Sequence, residues 1–326
     1  MKPDIPLEFA GTNYWDRTQP LISGRVKPEG VDLQWASHPA GMVFGQMARG
    51  EFQAGEMSAA FLVILADQGN DTLVGVPIFT TRGFRHGDFV VRADAGINTP
   101  ADLRGRRVGC SDYPRTSTVW ARGLLEHEYG VRARDVAWFH GEEDPAYNSR
   151  IAYELPPDIK LTAVSGTTPA DMFLRGELDA FVGATQFRKL LRGSSLRLLF
   201  PDYQQEERAY FRRTGIFPFN HVVTLRRDVY QDYPWMAVSL MQAFEEAKKV
   251  GAKEMVHQAS LMLPWMSELV EDVFEFFGGH PYRDGFRANY AAIEALCHYC
   301  HEQGLTKRLV RPEELFAPET LDLAFG

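Results

Sequence analysis

The sequence predicts an α/β fold of two lobes with a ligand cleft between them. Three observations carry this prediction. Stretches with strand character alternate with helical ones at intervals of about 10–15 residues, the spacing of parallel βαβ units. One such block is nested inside another, which places lobe one at 1–88 and 210–326, with a helical C-terminal part, and lobe two at 89–209. The chain has 326 residues, 45% hydrophobic and 24% charged, which suits two domains of a soluble enzyme or binding protein.

Each element follows from local pattern. Residues 5–9 alternate and read as a first strand, followed by a polar, aromatic loop over 11–18 and a second strand over 31–35. Residues 42–49 carry helical apolar spacing and stop at Gly50, a natural C-cap. Residues 52–57 lead into the apolar run 59–66, and 73–79 form the next strand. The inner block opens at 89–92, then shows a turn, a short helix and a strand at 107–110. A helix over 116–128 presents Val119, Trp120, Leu124 and Leu125 on one face and ends at Gly130. Short strands follow at 136–139 and 161–164. Thr168-Pro-Ala-Asp171 is a helix start, with an N-cap Thr and Pro at the first helical position. Strands at 178–182, 196–200 and 222–225 come next, and helices over 234–249 and 289–303 dominate the remainder.

Composition removes several classes of function. Lys plus Arg is 35 and Asp plus Glu is 43, a formal net charge of −8. An acidic chain is poorly suited to neutralising nucleic-acid phosphates. The longest apolar run, 59–66, is far short of a membrane span. Three cysteines cannot build a disulfide framework. The opening MKPDIPLEFAGTNYWDRT has no apolar core segment, so it does not read as a secretory signal and predicts a cytoplasmic protein. Cys297-His298-Tyr299-Cys300-His301 matches the letters of a haem-attachment motif. However, Tyr290, Ile293, Cys297 and Cys300 step by three, four and three, which is one helix face, and free Cys commonly packs as a small hydrophobe.

Five clusters could carry chemistry. Arg82, Arg85 and His86 follow a predicted strand at the first crossover. Arg presents a planar fork to carboxylates, and His exchanges a proton near neutral pH; a solvated basic loop explains the same residues. Tyr14, Asp16 and Arg17 could join that pocket or form a polar surface loop. Glu56 is a candidate base or orienting group, and Ser58 is either a ligand or a plain N-cap. Thr116 and Ser117 begin a helix, where backbone N–H groups attract anions, or simply cap it. His221 opens the return strand, as a structural or a catalytic residue.

The segments DRTQPLISGRVKPEGVDL (16–33), GEMS (55–58), FTTRGFRHGDFVV (79–91), RRTGIFPFNHVVTLRRDVYQDYPW (212–235) and PEELFAPET (312–320) resemble the 4,5-dihydroxyphthalate decarboxylase family. That resemblance implies a type II periplasmic-binding-protein-like fold. TPADLRGRRVGC and LRGELDAFVGA are typical of that wider fold. It also implies loss of one carboxylate from a dihydroxylated phthalate, giving protocatechuate and carbon dioxide. Such chemistry needs no cofactor. It needs Arg to hold a dianion, an acid to protonate the ring carbon, and a group to polarise the phenol. Arg17, Arg82, Arg85, His86, His221 and Glu56 meet that demand, with His86 and His221 expected to face one another across the cleft. A divalent metal on Glu56, His86 and His221 is the mechanistic alternative. The functional alternative is a solute-binding protein that delivers a carboxylated molecule to a transporter. The expected partner is a small aromatic carboxylate, not nucleic acid or membrane, and a homo-oligomer is left open.

Overall fold

The computed structural model describes residues 3–141, 153–183, 187, 189–191 and 195–325. Two mixed sheets form its frame. The first is built from β1 (Ile5–Gly11), β2 (Val31–Ser37), β3 (Ala54–Ser58), β4 (Leu73–Arg82) and, from far along the chain, β11 (Phe219–Arg226). The second holds β5 (Phe89–Arg92), β6 (Arg107–Cys110), β7 (Ala137–His140), β8 (Lys160–Ala163), β9 (Ala180–Val182) and β10 (Leu196–Leu198). Strand orders are β2-β1-β3-β11-β4 and β10-β5-β9-β6-β7-β8. Most neighbours within the βαβ blocks are parallel. The exceptions arise at the crossovers. β11 runs antiparallel to β3 and β4, and β5 runs antiparallel to β9 and β10. A strand arriving from the other sheet enters from the opposite end, so it lies against the local direction. This is the α/β, two-sheet architecture of the periplasmic-binding-protein class.

The helices cover both faces of the first sheet. α2 (Ala40–Ala48), α3 (Ala59–Asp67) and α10 (Tyr290–Glu302) pack on one side. α1 (Gln19–Ile22), α7 (Arg227–Asp232) and the long α8 (Trp235–Met262) pack on the other, where Phe9, Val76, Leu225, Leu240 and Phe244 are buried together. α4 (Thr116–Tyr129) and α5 (Pro169–Leu174) pack on the second sheet; α6 (Tyr203–Thr214) and α9 (Met266–Phe277) complete the α-helices of the described residues. Ser58 ends β3 and α3 begins at the next residue, so the strand delivers its polar end directly to a helix N-terminus.

Local signals behave as chemistry demands. Thr168 accepts a hydrogen bond from the Asp171 N–H, and Gly130 closes α4 in the left-handed conformation at φ 67°. Cys297 and Cys300 are buried free thiols on α10, and burial pushes the Cys297 thiol up to about 12. Two helical stretches differ from the sequence reading. The helix predicted over 234–249 continues to Met262 through Gly251. That glycine is needed, because a Cβ there would lie 1.9 Å from the Asp16 carbonyl oxygen. α6 is mostly polar, with Tyr210 as its buried residue, so its sequence lacks a wide apolar stripe.

One apolar cluster runs continuously from α3 through α4 to α10 and so joins elements of both sheets. Trp120 of α4 is fully buried and donates its indole N–H to the Phe219 carbonyl of β11 at 2.7 Å. Gly123 of α4 lies so close to Tyr299 of α10 that an added Cβ would overlap its ring. Arg122, also buried, donates to Gln303 Oε1 and to the Tyr113 carbonyl. The two sheets are therefore held in one packed relation at this side, and the polar ends of β3, β4 and β11 face α4 across a narrow gap.

Candidate active site at the sheet ends

Register assembles the centre of the site. β11 lies between β3 and β4, and His221 pairs with Ser58 on one side and Thr81 on the other. Directly opposed residues share a sheet face, so these side chains converge. The register against β4 shifts on both sides of His221, between Phe219 and His221 and between His221 and Val223.

Glu56 is completely buried. Its carboxylate accepts from the Thr12 backbone N–H at 2.8 Å and from the Thr80 hydroxyl at 2.9 Å. His221 Nδ1 stands 3.0 Å from Glu56 Oε2 and 2.8 Å from Thr81 Oγ1. An ionised carboxylate only accepts, so His221 carries a proton on Nδ1 and donates it. Tyr14 Oη lies 2.9 Å from the same Thr81 hydroxyl. Burial, and after it the charge of Glu56, push the Tyr14 phenol up to about 12, so it is a neutral donor at physiological pH. Behind Tyr14, the Arg17 guanidinium sits between two rings, 4.2 Å from Tyr14 and 4.1 Å from Tyr282. It also donates to the Thr80 carbonyl at 2.7 Å and pairs with Asp16 at 2.6 Å. Asp16 and Arg17 thus set the position of Tyr14 and Thr80 from behind.

In front of His221 is a cavity of about 200 Å³, lined by Phe44, Ser58, Arg85, Arg115, Thr116, Ser117, Asn220 and His221. The N-termini of two helices meet there. Ser58 is the N-cap position of α3, yet its hydroxyl makes no cap bond; it lies 2.7 Å from Thr116 Oγ1. Thr116, at the start of α4, instead accepts from the Ala60 N–H of α3 at 3.0 Å, so one helix caps the other. Both positive helix ends, together with Arg85 and Arg115, favour a negatively charged occupant. Arg85 is held by Asp88 at 2.6 Å, the Gly83 carbonyl at 3.0 Å and Asn220 Oδ1 at 3.3 Å. Arg115 is steadied by Ser111 at 2.6 Å. Phe44 meets the His221 ring edge-on at 4.8 Å and provides an apolar wall.

Two residues of the basic cluster sit elsewhere. Arg82 is buried, and its guanidinium donates to the carbonyls of Phe217 and Arg283 and to Asn289 Oδ1 at 2.6–2.9 Å. Burial pushes it down to about 10, opposed by the charge of Asp284. It ties the first crossover to the segment before α10 and does not line the cleft cavity. His86 is buried among Phe200, Tyr210 and Tyr129 in edge-on contacts, and its Nδ1 has no hydrogen-bond partner among the described residues. Desolvation, reinforced by Arg213, lowers it to about 4. His86 and His221 line different cavities, so they do not face one another, and the Glu56–His86–His221 metal set does not converge. Among the described residues no three His, Cys, Asp or Glu side chains gather as a metal site.

Several site residues escape the sequence reading: Thr12, Phe44, Thr80, Thr81, Arg115 and Asn220. Thr80 and Thr81 stand just before Arg82, and Asn220 just before His221. For Thr80, Thr81 and Asn220 the signal was position, beside candidates at a strand end; Phe44, inside α2, carries no such signal.

No family model matches the chain. A 4,5-dihydroxyphthalate decarboxylase from Comamonas testosteroni is 32% identical over 324 residues, covering 98% of each chain. A protein of the same name from Pseudomonas putida is 34% identical over 182 residues, 55% of this chain and 70% of that one. Among solved structures, the periplasmic aliphatic sulphonate binding protein SsuA from Escherichia coli matches with a TM-score of 0.57 at 13% identity, over 97% of this chain and 98% of that one. A Candida albicans gene product, described as exhibiting the generic periplasmic binding protein fold, matches with a TM-score of 0.57 at 11% identity and 98% coverage of both. A mutant of the desulfurization enzyme DSZB in complex with biphenyl-2-sulfinic acid gives a TM-score of 0.53 at 16% identity, over 96% of both. At such identities these structures speak to fold alone, and no helix in the described residues is long and apolar enough to cross a membrane. The full-length likeness to the Comamonas protein, on the fold seen here, establishes that the chain belongs to the 4,5-dihydroxyphthalate decarboxylase family.

Proposed function

We propose that this protein is a carboxy-lyase that converts 4,5-dihydroxyphthalate to protocatechuate and carbon dioxide, with His221 as the proton donor. The observation that carries the proposal is the meeting of a buried Glu56–His221 pair with a small cavity edged by Arg85, Arg115 and two helix N-termini. The cationic edge suits a dicarboxylate, and the pair suits proton delivery.

The chemistry follows from valence. Each carboxyl-bearing ring carbon of this substrate lies para to a hydroxyl. When that hydroxyl gives its proton to solvent, its oxygen pushes electrons into the ring and the carboxyl-bearing carbon becomes basic. His221 Nδ1 is engaged by Glu56 and Thr81, so Nε2 is the nitrogen left to give a proton to that carbon. The ring is then keto-like, and breaking the bond to the carboxylate releases carbon dioxide and returns the electron pair to the ring. The hydroxyl regains its proton as aromaticity returns, and His221 is reprotonated from solvent. Per turnover one proton enters and one carbon dioxide leaves. Glu56 steadies the imidazolium before transfer, and burial of that carboxylate makes its charge effective. Arg85 and Arg115 would anchor the carboxylates, with the second carboxylate near the start of α4. Ser58, Thr116 and Ser117 shape that end, and Tyr14, neutral at physiological pH, supports the His221 contact from behind through Thr81.

The test is direct. The purified protein is incubated with 4,5-dihydroxyphthalate and, in parallel, with monohydroxylated phthalates and benzoates, and evolved carbon dioxide is measured. Release from the dihydroxylated phthalate supports the proposal. Tight binding of a carboxylate without any release would favour a binding protein instead.

A further inference from the structure

A second cavity, larger than the one at His221, opens between the middle of α8, the end of α9 and residues 278–284. Its volume is about 580 Å³, within the range of small-molecule sites. Phe274 and Phe325 provide apolar wall. Two acids also line it, Glu245 and Asp284, but both are engaged by the buried Lys248 at 2.6 and 3.0 Å. Those two negative charges are offset by Lys248 and Arg283. Lys249 and Lys253, one helical turn apart on α8, remain as the excess positive charge of the lining, and neither has an ion pair among the described residues. His280 adds a further donor. Its Nδ1 accepts from the Tyr282 backbone N–H at 3.1 Å, so the proton of the neutral ring is on Nε2, and that buried N–H has no acceptor among the described residues. An apolar body with an anionic head is the complement of such a lining.

We propose that this cavity is a second ligand site that takes a small aromatic or aliphatic carboxylate, with Lys249 and Lys253 holding the carboxylate and Phe274 and Phe325 the apolar part. The site is separate from the cleft but adjoins it. Tyr282, on its wall, stacks by its ring on Arg17, whose other face lies on Tyr14.

Benzoate is the probe. Calorimetric titration is run on the wild-type chain, on Arg85→Ala, which weakens the cleft, and on Lys249→Glu/Lys253→Glu, whose side chains are exposed and outside the proposed catalytic machinery. Inorganic phosphate serves as a competitor that lacks an apolar body. Arg85→Ala should retain one benzoate site, and the double Lys variant should bind benzoate at that site at least tenfold more weakly, with thermal unfolding and turnover unchanged. Benzoate should outcompete phosphate there. The inference is overturned if Arg85→Ala binds no benzoate at millimolar concentration, or if the double Lys variant matches the wild type. Turnover of 4,5-dihydroxyphthalate is measured alongside, so failure of the cleft proposal and failure of this one give different results.

Discussion

Replacing Glu56 with Gln is the sharpest perturbation of the proposed chemistry. The side chain is fully buried and nearly isosteric, so the fold should tolerate the change. The Thr12 N–H can still donate to an amide oxygen in the Oε1 place, but the amide nitrogen then takes the Oε2 place, where it only donates, toward the Thr80 hydroxyl and His221 Nδ1. The imidazole must turn its Nδ1 into an acceptor, and the imidazolium loses its buried counter-charge. At a separation near 3–4 Å and an effective dielectric of about 20, that attraction is about 4–5.5 kcal/mol. Part of it is returned by relaxation and by the new hydrogen bond, leaving about 2.7–4 kcal/mol, or about 10²–10³ in kcat. KM should change little, because Arg85 and Arg115 still edge the cavity. Steady-state carbon dioxide release, with circular dichroism and thermal unfolding as fold controls, measures both constants. A Glu56→Gln protein with kcat within threefold of wild type would refute the reasoning and remove His221 as the acid held by Glu56.

Four further outcomes follow from the same geometry. Arg85→Ala should raise KM by at least about 30-fold, since a carboxylate that loses a desolvated charged partner costs about 2–5 kcal/mol, whereas unchanged KM would place the carboxylate elsewhere. Arg82→Ala should instead lower unfolding free energy by about 2–4 kcal/mol, measured in urea, with near-normal KM in the folded fraction, because it strands the acceptors at Phe217, Arg283 and Asn289. His86 is held at about 4 when folded, below its ordinary 6.5, so the unfolded chain binds more protons between those values. Its contribution, up to about 3 kcal/mol, is present above pH 6.5 and lost as pH falls toward 4, and His86→Phe should flatten that slope in denaturation measured across the window. Thr116→Val should cost about 1 kcal/mol of stability through loss of the cap on α3 and should also weaken substrate binding, read as Tm and KM together.

Much was legible in the sequence because it is local. Strand and helix periods along the chain, the N-cap at Thr168, the left-handed Gly130 and the apolar face holding Cys297 and Cys300 depend on neighbours a few residues away. Candidate residues at strand ends were legible for the same reason: Glu56, Ser58, Thr116, Ser117 and His221 do come together at one gap. The fates of Arg82 and His86 were not legible. Four residues apart in one basic stretch, they look equivalent to Arg85, yet one is drawn into carbonyl acceptors more than 130 positions away and the other into an aromatic enclosure built by α4, α6 and Phe200. Side-chain direction at a crossover is decided by which distant groups satisfy it, and sequence spacing carries no record of that. The same holds for the Glu56–His221 contact, 165 residues apart in the chain, which exists because β11 returns from the second sheet to lie between β3 and β4. The sequence by itself determined the kinds of elements, their order and the family, since those rest on local propensity and residue pattern. Only the tertiary structure decided which arginine and which histidine meet the cleft, because long-range strand insertion and burial set those distances.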